Sequence, residues 1–117
     1  MQFRGELDSA RVITVLDDYA GYETSFLAQH GIAILLEAHS GGLCKRVLLD
    51  AGQSALPILH NLELLGIDAC SIDAVVISHC HYDHTEGLVD VLKAIGGEDI
   101  PVVAHTTMFR PNYIFDP

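Results

Sequence analysis

Asp73-Ala-Val-Val-Ile-Ser-His-Cys-His-Tyr-Asp-His-Thr85 begins as a continuous apolar run and ends on three imidazoles and a carboxylate between positions 79 and 84. The apolar part, residues 73–78, is too short for a helix, and its unbroken hydrophobicity predicts a strand buried on both faces. Extended backbone sends residues i and i+2 to the same side, so His79 and His81 can bite one metal ion, while a turn after them can bring Asp83 and His84 round to a second position. Imidazole nitrogen and carboxylate oxygen suit zinc, the leading choice, and also iron, manganese, cobalt or magnesium, so ligand type does not fix the element. One or two divalent ions are therefore expected. A catalytic zinc needs at least three protein ligands, and His79 with His81 supply two.

Outward from this segment the period alternates between strand and helix. Upstream, residues 11–16 and 31–38 are short β-branched or apolar runs bounded by polar and Gly-containing stretches, as strands are. Residues 45–50 follow a Ser40-Gly-Gly turn signal, which predicts a hairpin over 31–50 whose second strand ends at Asp50. From Ala55 the leucines at 56, 59, 62 and 65, widened by Ile58, describe a helix packing one face. Ser54 is its candidate cap, Pro57 falls in its first turn, and Gly66 stands where a left-handed residue ends it. Downstream, Leu88, Val91, Leu92 and Ile95 repeat at i, i+3, i+4 and i+7, with Thr85 as candidate N-cap and Gly96-Gly97 as a stop. Residues 101–104 form a last short strand, and the tail to Pro117 has no clear period. The order β-β-β-α-β-α-β, without repeats or linkers, predicts one α/β layered domain with helices on a mixed sheet.

Composition narrows the partners. At 117 residues, 50% of them apolar, the chain is a single folding unit and not a disordered one. Six basic against sixteen acidic residues give a net charge of −10, and Lys45-Arg46 is the one adjacent basic pair, which argues against a nucleic-acid binder or an anionic membrane surface. No apolar run approaches the length of a spanning helix, and the start, Met1 to Asp8, lacks a basic region followed by an apolar stretch. Cys44, Cys70 and Cys80 are odd in number and form no CxxC, which fits thiols in a reducing compartment; the expectation is a cytoplasmic protein.

His79-Cys-His-Tyr-Asp-His84 resembles the H-x-H-x-D-H signature of the metallo-β-lactamase superfamily, and Leu49-Asp50-Ala51-Gly52 resembles that family's earlier motif, with the expected helix between the two. By this resemblance His79 and His81 ligand a first metal, Asp83 and His84 a second, and Asp50 orients a ligand from behind, as carboxylates that fix imidazole tautomers do. The stretches 28–37, 47–54, 64–68 and 72–79 resemble the branch containing the dihydropterin-ribofuranosylaminobenzene 5′-phosphate synthases and related metal-dependent hydrolases. The implied chemistry is a metal-bound hydroxide attacking a carbonyl or phosphoryl centre of a small molecule, with Asp83 ligating one metal and orienting the nucleophile. The superfamily fold is an αββα sandwich of two similar halves, and residues 1–117 match the N-terminal one. The family's third imidazole of the first site, its bridging carboxylate and its last imidazole come from the later half. His105, after the last strand, is weighed as a replacement and reads better as a structural residue; His30, His39 and His60 have satisfied or solvated readings. Two expectations follow: self-association, or docking of the missing half, on an uncovered sheet face; and, as the alternative to catalysis, a non-catalytic metal-binding module without the C-terminal ligands.

Overall fold

A computed structural model describes residues 5–113; the first residues of the start read for a signal and the end of the aperiodic tail lie outside them. Five strands form one sheet in the order β1-β2-β3-β4-β5, with β1 at Ser9–Leu16, β2 at Ala33–Ser40, β3 at Leu43–Leu49, β4 at Ala74–Val76 and β5 at Val102–Val103. The first three pair antiparallel, and β3, β4 and β5 run parallel. That division follows from the connections. Gly41 and Gly42, both at positive φ, join β2 to β3 directly, whereas each parallel step needs a helical crossover to return the chain.

Three helices supply the crossovers: α1 at Ala55–Leu64, a single turn α2 at Tyr82–Thr85, and α3 at Leu88–Ile95. Leu35, Leu48 and Val75 stand at matching register on the helix side of the sheet, and Ile58, Leu62 and Val91 close over them; all six are buried. The buried face of α1 is Ala55, Pro57, Ile58, Asn61 and Leu62, and not the expected leucine series, because Leu56 and Leu65 are exposed. Steps of three residues each fall about 60° short of a full turn at 3.6 residues per turn, so three of them carry the side chain to the opposite face. Asn61 is accommodated in this core by its amide, which donates to the Val15 and Leu27 carbonyls at 2.8 Å each and accepts from the Leu27 N–H at 2.9 Å.

Two caps differ from expectation. Ser54 occupies the N-cap position of α1, but its side chain does not cap; its N–H and hydroxyl are both engaged by the Gln29 amide. Thr85 is not the N-cap of α3: Gly87 is, because residues 82–85 already form a helical turn in which the Thr85 hydroxyl donates to the His81 carbonyl at 3.0 Å.

Strand β4 is sealed on one side only. Val75 and Ile77 are buried, while Ala74 and Val76 on the other face are half-buried, contrary to the expectation of burial on both sides. The same outer face continues through Val12, Leu36, Val47 and Leu49, with Val12 68% exposed. A helix layer thus covers one face of an apolar sheet and nothing covers the other among the described residues. None of these helices is long and apolar enough to cross a membrane.

Candidate metal centre

The chemistry-bearing residues gather where β3 and β4 end side by side. Leu49 pairs with Val76, and the next residue, Asp50, donates its N–H to the Val76 carbonyl at 2.8 Å before the chain turns away. Asp50 holds φ at 64°, a left-handed conformation that aspartate tolerates better than most residues. Its turn is stitched to the signature segment by two backbone bonds, Ala51 N–H to the His84 carbonyl and Gly87 N–H to the Gly52 carbonyl. A Cβ at Gly87 would overlap the Ala51 carbonyl oxygen, so only glycine permits this approach.

Asp50 is 2% exposed, and both its oxygens are engaged. Oδ1 accepts from the Ser78 N–H at 2.7 Å; Oδ2 accepts from the Ser78 hydroxyl at 2.6 Å and from His84 Nδ1 at 2.7 Å. A carboxylate can only accept, which fixes the protons around it. His84 carries its proton on Nδ1 and leaves Nε2 as a free donor atom. The Ser78 hydroxyl proton is directed to Asp50, so its oxygen accepts from His79 Nδ1 at 2.8 Å, and His79 Nε2 is freed in the same way. One buried aspartate therefore sets the tautomer of two histidines, one directly and one through a serine, as carboxylates behind metal-binding imidazoles do.

The rings of His79 and His84 lie 4.1 Å apart, and those of His79 and His81 4.6 Å apart, edge to face. Donor atoms of Asp50, His79 and His84 all fall within 4.8 Å of one another. Because three hydrogen bonds already engage Asp50, its geometry suits orienting the two imidazoles better than ligation. Asp83 places Oδ2 3.4 Å from His84 Nε2, with its side chain 15% exposed. His81 is exposed and stands at the start of α2, with its ring toward His79 and outside the tight cluster. The structure thus brings His79, His84, Asp83 and Asp50 together and leaves His81 at the rim. Two or more imidazole nitrogens and a carboxylate are the donor set that zinc and neighbouring divalent metals take, so the residues present fit such an ion.

His105 is elsewhere. It caps the 3₁₀ turn Thr106–Phe109, accepting from the Thr107 N–H at 3.2 Å, which is the structural role weighed for it. The centre borders an open cleft of about 790 Å³ lined by His30, Cys80, His81, Tyr82, Asp83 and Asn112 among others. Three of its contributors carry no sequence signal of their own. Ser78 reads as the end of a strand, Asn112 belongs to an aperiodic tail, and His30 lies far upstream in the β1–β2 loop, yet its Nε2 stands 3.4 Å from Asp83 Oδ2.

Comparison with known proteins agrees with this layout. Residues 45–111 match the family model described as the beta-lactamase superfamily domain. The chain is 42% identical, over 97% of its length and 38% of the relative's, to a protein of Methanocaldococcus jannaschii named 7,8-dihydropterin-6-methyl-4-(beta-D-ribofuranosyl)-aminobenzene-5'-phosphate synthase. An uncharacterized protein of the same organism is 38% identical over 87% of the chain and 37% of that protein, so the chain spans little more than a third of either relative. Among solved structures, the MIM-2 metallo-beta-lactamase aligns with a TM-score of 0.54 at 23% identity over 68% of this chain and 28% of that one. MEM-A1, a subclass B3 metallo-beta-lactamase from a soil metagenome library, gives 0.53 at 20% over 82% and 30%. At that identity the two alignments speak for the fold, a metallo-β-lactamase-like α/β arrangement. With the Asp50 turn, the strand-end histidines and more than half of the chain inside the family model, this chain belongs to the beta-lactamase superfamily.

Proposed function

We propose that this chain carries the metal-binding part of a metal-dependent enzyme that cleaves or forms bonds at a carbonyl or phosphoryl centre of a small molecule. The observation behind this reading is the Asp50 relay, which leaves His79 Nε2 and His84 Nε2 as free donor atoms, the latter 3.4 Å from Asp83, which itself lines an open cleft. His79, His81, Asp83 and His84 would hold one or two divalent ions, with zinc the leading choice. When bound, such an ion activates water near neutral pH and polarises the oxygen under attack. The chain's own residues do the rest: Asp50 and Ser78 keep the imidazoles in one tautomer, and Asp83 orients the nucleophile. The name of the Methanocaldococcus relative makes a pterin phosphate the first substrate class to try.

The decisive experiment pairs metal analysis with activity. In the full-length protein, Asp83→Ala is expected to lower turnover of a pterin phosphate by about 100-fold or more, with little change in melting temperature because Asp83 lies at the edge of the core. Turnover equal to the parent would remove Asp83 from the mechanism. A second reading is a non-catalytic metal-binding module, for which the tight group of Asp50, His79 and His84 would suffice. It is favoured if metal binds and no ester, lactam or pterin phosphate is turned over.

The apolar outer face of the sheet bears on the partners. Residues 1–117 are read as the N-terminal part of a metallo-β-lactamase-like domain, with Val12, Leu36 and Val76 facing either a second copy of the chain or the domain's remaining half. Sedimentation of the 117-residue chain is expected to show dimers or larger species; a monodisperse monomer at high concentration would count against this assignment. Neither nucleic acid nor membrane is expected as a partner at a net charge of −10. Cys44, Cys70 and Cys80 are all unpaired, in keeping with a cytoplasmic setting.

A further inference from the structure

We propose that His30 is a metal-facing imidazole which, together with Asp83 and His84, supplies the third donor for a divalent cation on the Asp83 side of the centre. This rests on the metal reading above and extends it to a residue of the β1–β2 loop. The arrangement around His30 parallels that around His84, with a longer Nδ1 contact of 3.4 Å against 2.7 Å. His84 has Nδ1 on a carboxylate, Asp50, and Nε2 at 3.4 Å from Asp83 Oδ2. His30 has Nδ1 at 3.4 Å from the Asp18 carboxylate and Nε2 at 3.4 Å from the same Asp83 oxygen. In each case an aspartate stands at Nδ1 as acceptor for its proton, and in that tautomer Nε2 is left unprotonated near the Asp83 carboxylate. Two imidazole nitrogens, each 3.4 Å from one carboxylate oxygen, form a donor set that a divalent cation can draw together.

The loop is held in place for this. Gly31 donates its N–H to Asp18 Oδ1 at 3.2 Å, and with φ at 122° it packs so close to the Asp83 backbone that a Cβ there would overlap the Asp83 carbonyl oxygen. The β1–β2 loop is thereby pinned onto the turn that carries Asp83, and His30 is delivered beside it. Its side chain remains 61% exposed, open to the cleft, and it stands outside the tight group of Asp50, His79 and His84. It therefore adds a donor on the Asp83 side and none beside His79.

Cobalt(II) titration of the 117-residue chain tests the assignment through optical spectra and paramagnetically shifted imidazole N–H proton resonances. His30→Ala is expected to weaken the ion bound at Asp83 by roughly 10- to 100-fold, to change the visible d–d bands, and to remove one shifted N–H resonance. Asp18→Asn, which leaves the ring present but loosens its orientation, should keep that resonance and weaken binding less. Equal cobalt affinity and an unchanged set of shifted resonances in His30→Ala would overturn the role of His30 while leaving the metal centre standing. Absence of cobalt binding by the parent chain would overturn both the centre and this extension of it.

Discussion

Replacing Asp50 by alanine is expected to weaken divalent-metal binding by roughly 10- to 100-fold and to destabilise the fold by about 3 kcal/mol or more. Both effects follow from one carboxylate. With it removed, the Ser78 N–H, the Ser78 hydroxyl and His84 Nδ1 lose their acceptor at a position only 2% exposed. Alanine is also a poor occupant of φ 64°. Asp50→Asn separates the two consequences. Asparagine keeps the left-handed backbone and an acceptor for Ser78, but its NH₂ group opposes the His84 Nδ1 proton and drives that ring to the other tautomer. Metal affinity should fall nearly as far as in the alanine variant while most of the stability returns. Zinc competition against a chromophoric chelator, together with urea melts, measures both; parent-like zinc affinity in both variants would refute the relay.

The second large effect is expected at the other end of the same sheet face. Glu37 lies on β2 opposite Arg11 of β1 and Arg46 of β3, and it is 1% exposed. Its Oε1 accepts from Arg11 Nε at 2.7 Å and its Oε2 from Arg46 Nε at 2.6 Å. Burial pushes this carboxyl upward, but the hydrogen bonds and charges of Arg46 and Arg11 outweigh it and hold the group below its ordinary value of 4.5. A carboxylate lowered in the folded state stabilises fully above that ordinary value, and the contribution disappears as the pH falls through the lowered one. Glu37→Ala should cost about 3 kcal/mol near neutral pH, since it leaves two guanidinium groups without their partner. Arg11→Ala should cost well under half as much, because the Arg11 side chain is 64% exposed and solvent already screens it. Urea melts at about pH 7 and about pH 3 provide the check: the gap between parent and Glu37→Ala should narrow at the acid end. A gap of constant size would mean that the loss is one of packing and not of charge.

Much of this architecture is legible in short windows. The hairpin, the helix over 88–95 and the strand ahead of the histidines are each written in periods of two or 3.6 within about ten residues, where backbone geometry and one dominant burial direction decide the outcome. The same windows mislead where two local patterns compete. The leucines of α1 suggest a stripe, but Asn61 takes a core position because the ends of β1 and the following loop present carbonyls for its amide. Thr85 is a plausible cap until the preceding turn claims it.

From the order of residues alone came the α/β class, the strand-end position of His79, His81, Asp83 and His84, and the suspicion that Asp50 acts behind them. These features are contiguous or end a strand, so chain connectivity suffices to place them. The folded chain alone decided which nitrogen of each ring is free, that Ser78 links Asp50 to His79, and that His30 arrives beside Asp83 from the β1–β2 loop. The contacts of Asp50 with Ser78 and His84 and of His30 with Asp83 join positions that the chain separates by dozens of residues; the pairing of β3 with β4 brings the first together, and the β1–β2 loop packed on the Asp83 turn brings the second. Proton placement at each one depends on a neighbour that no local pattern names.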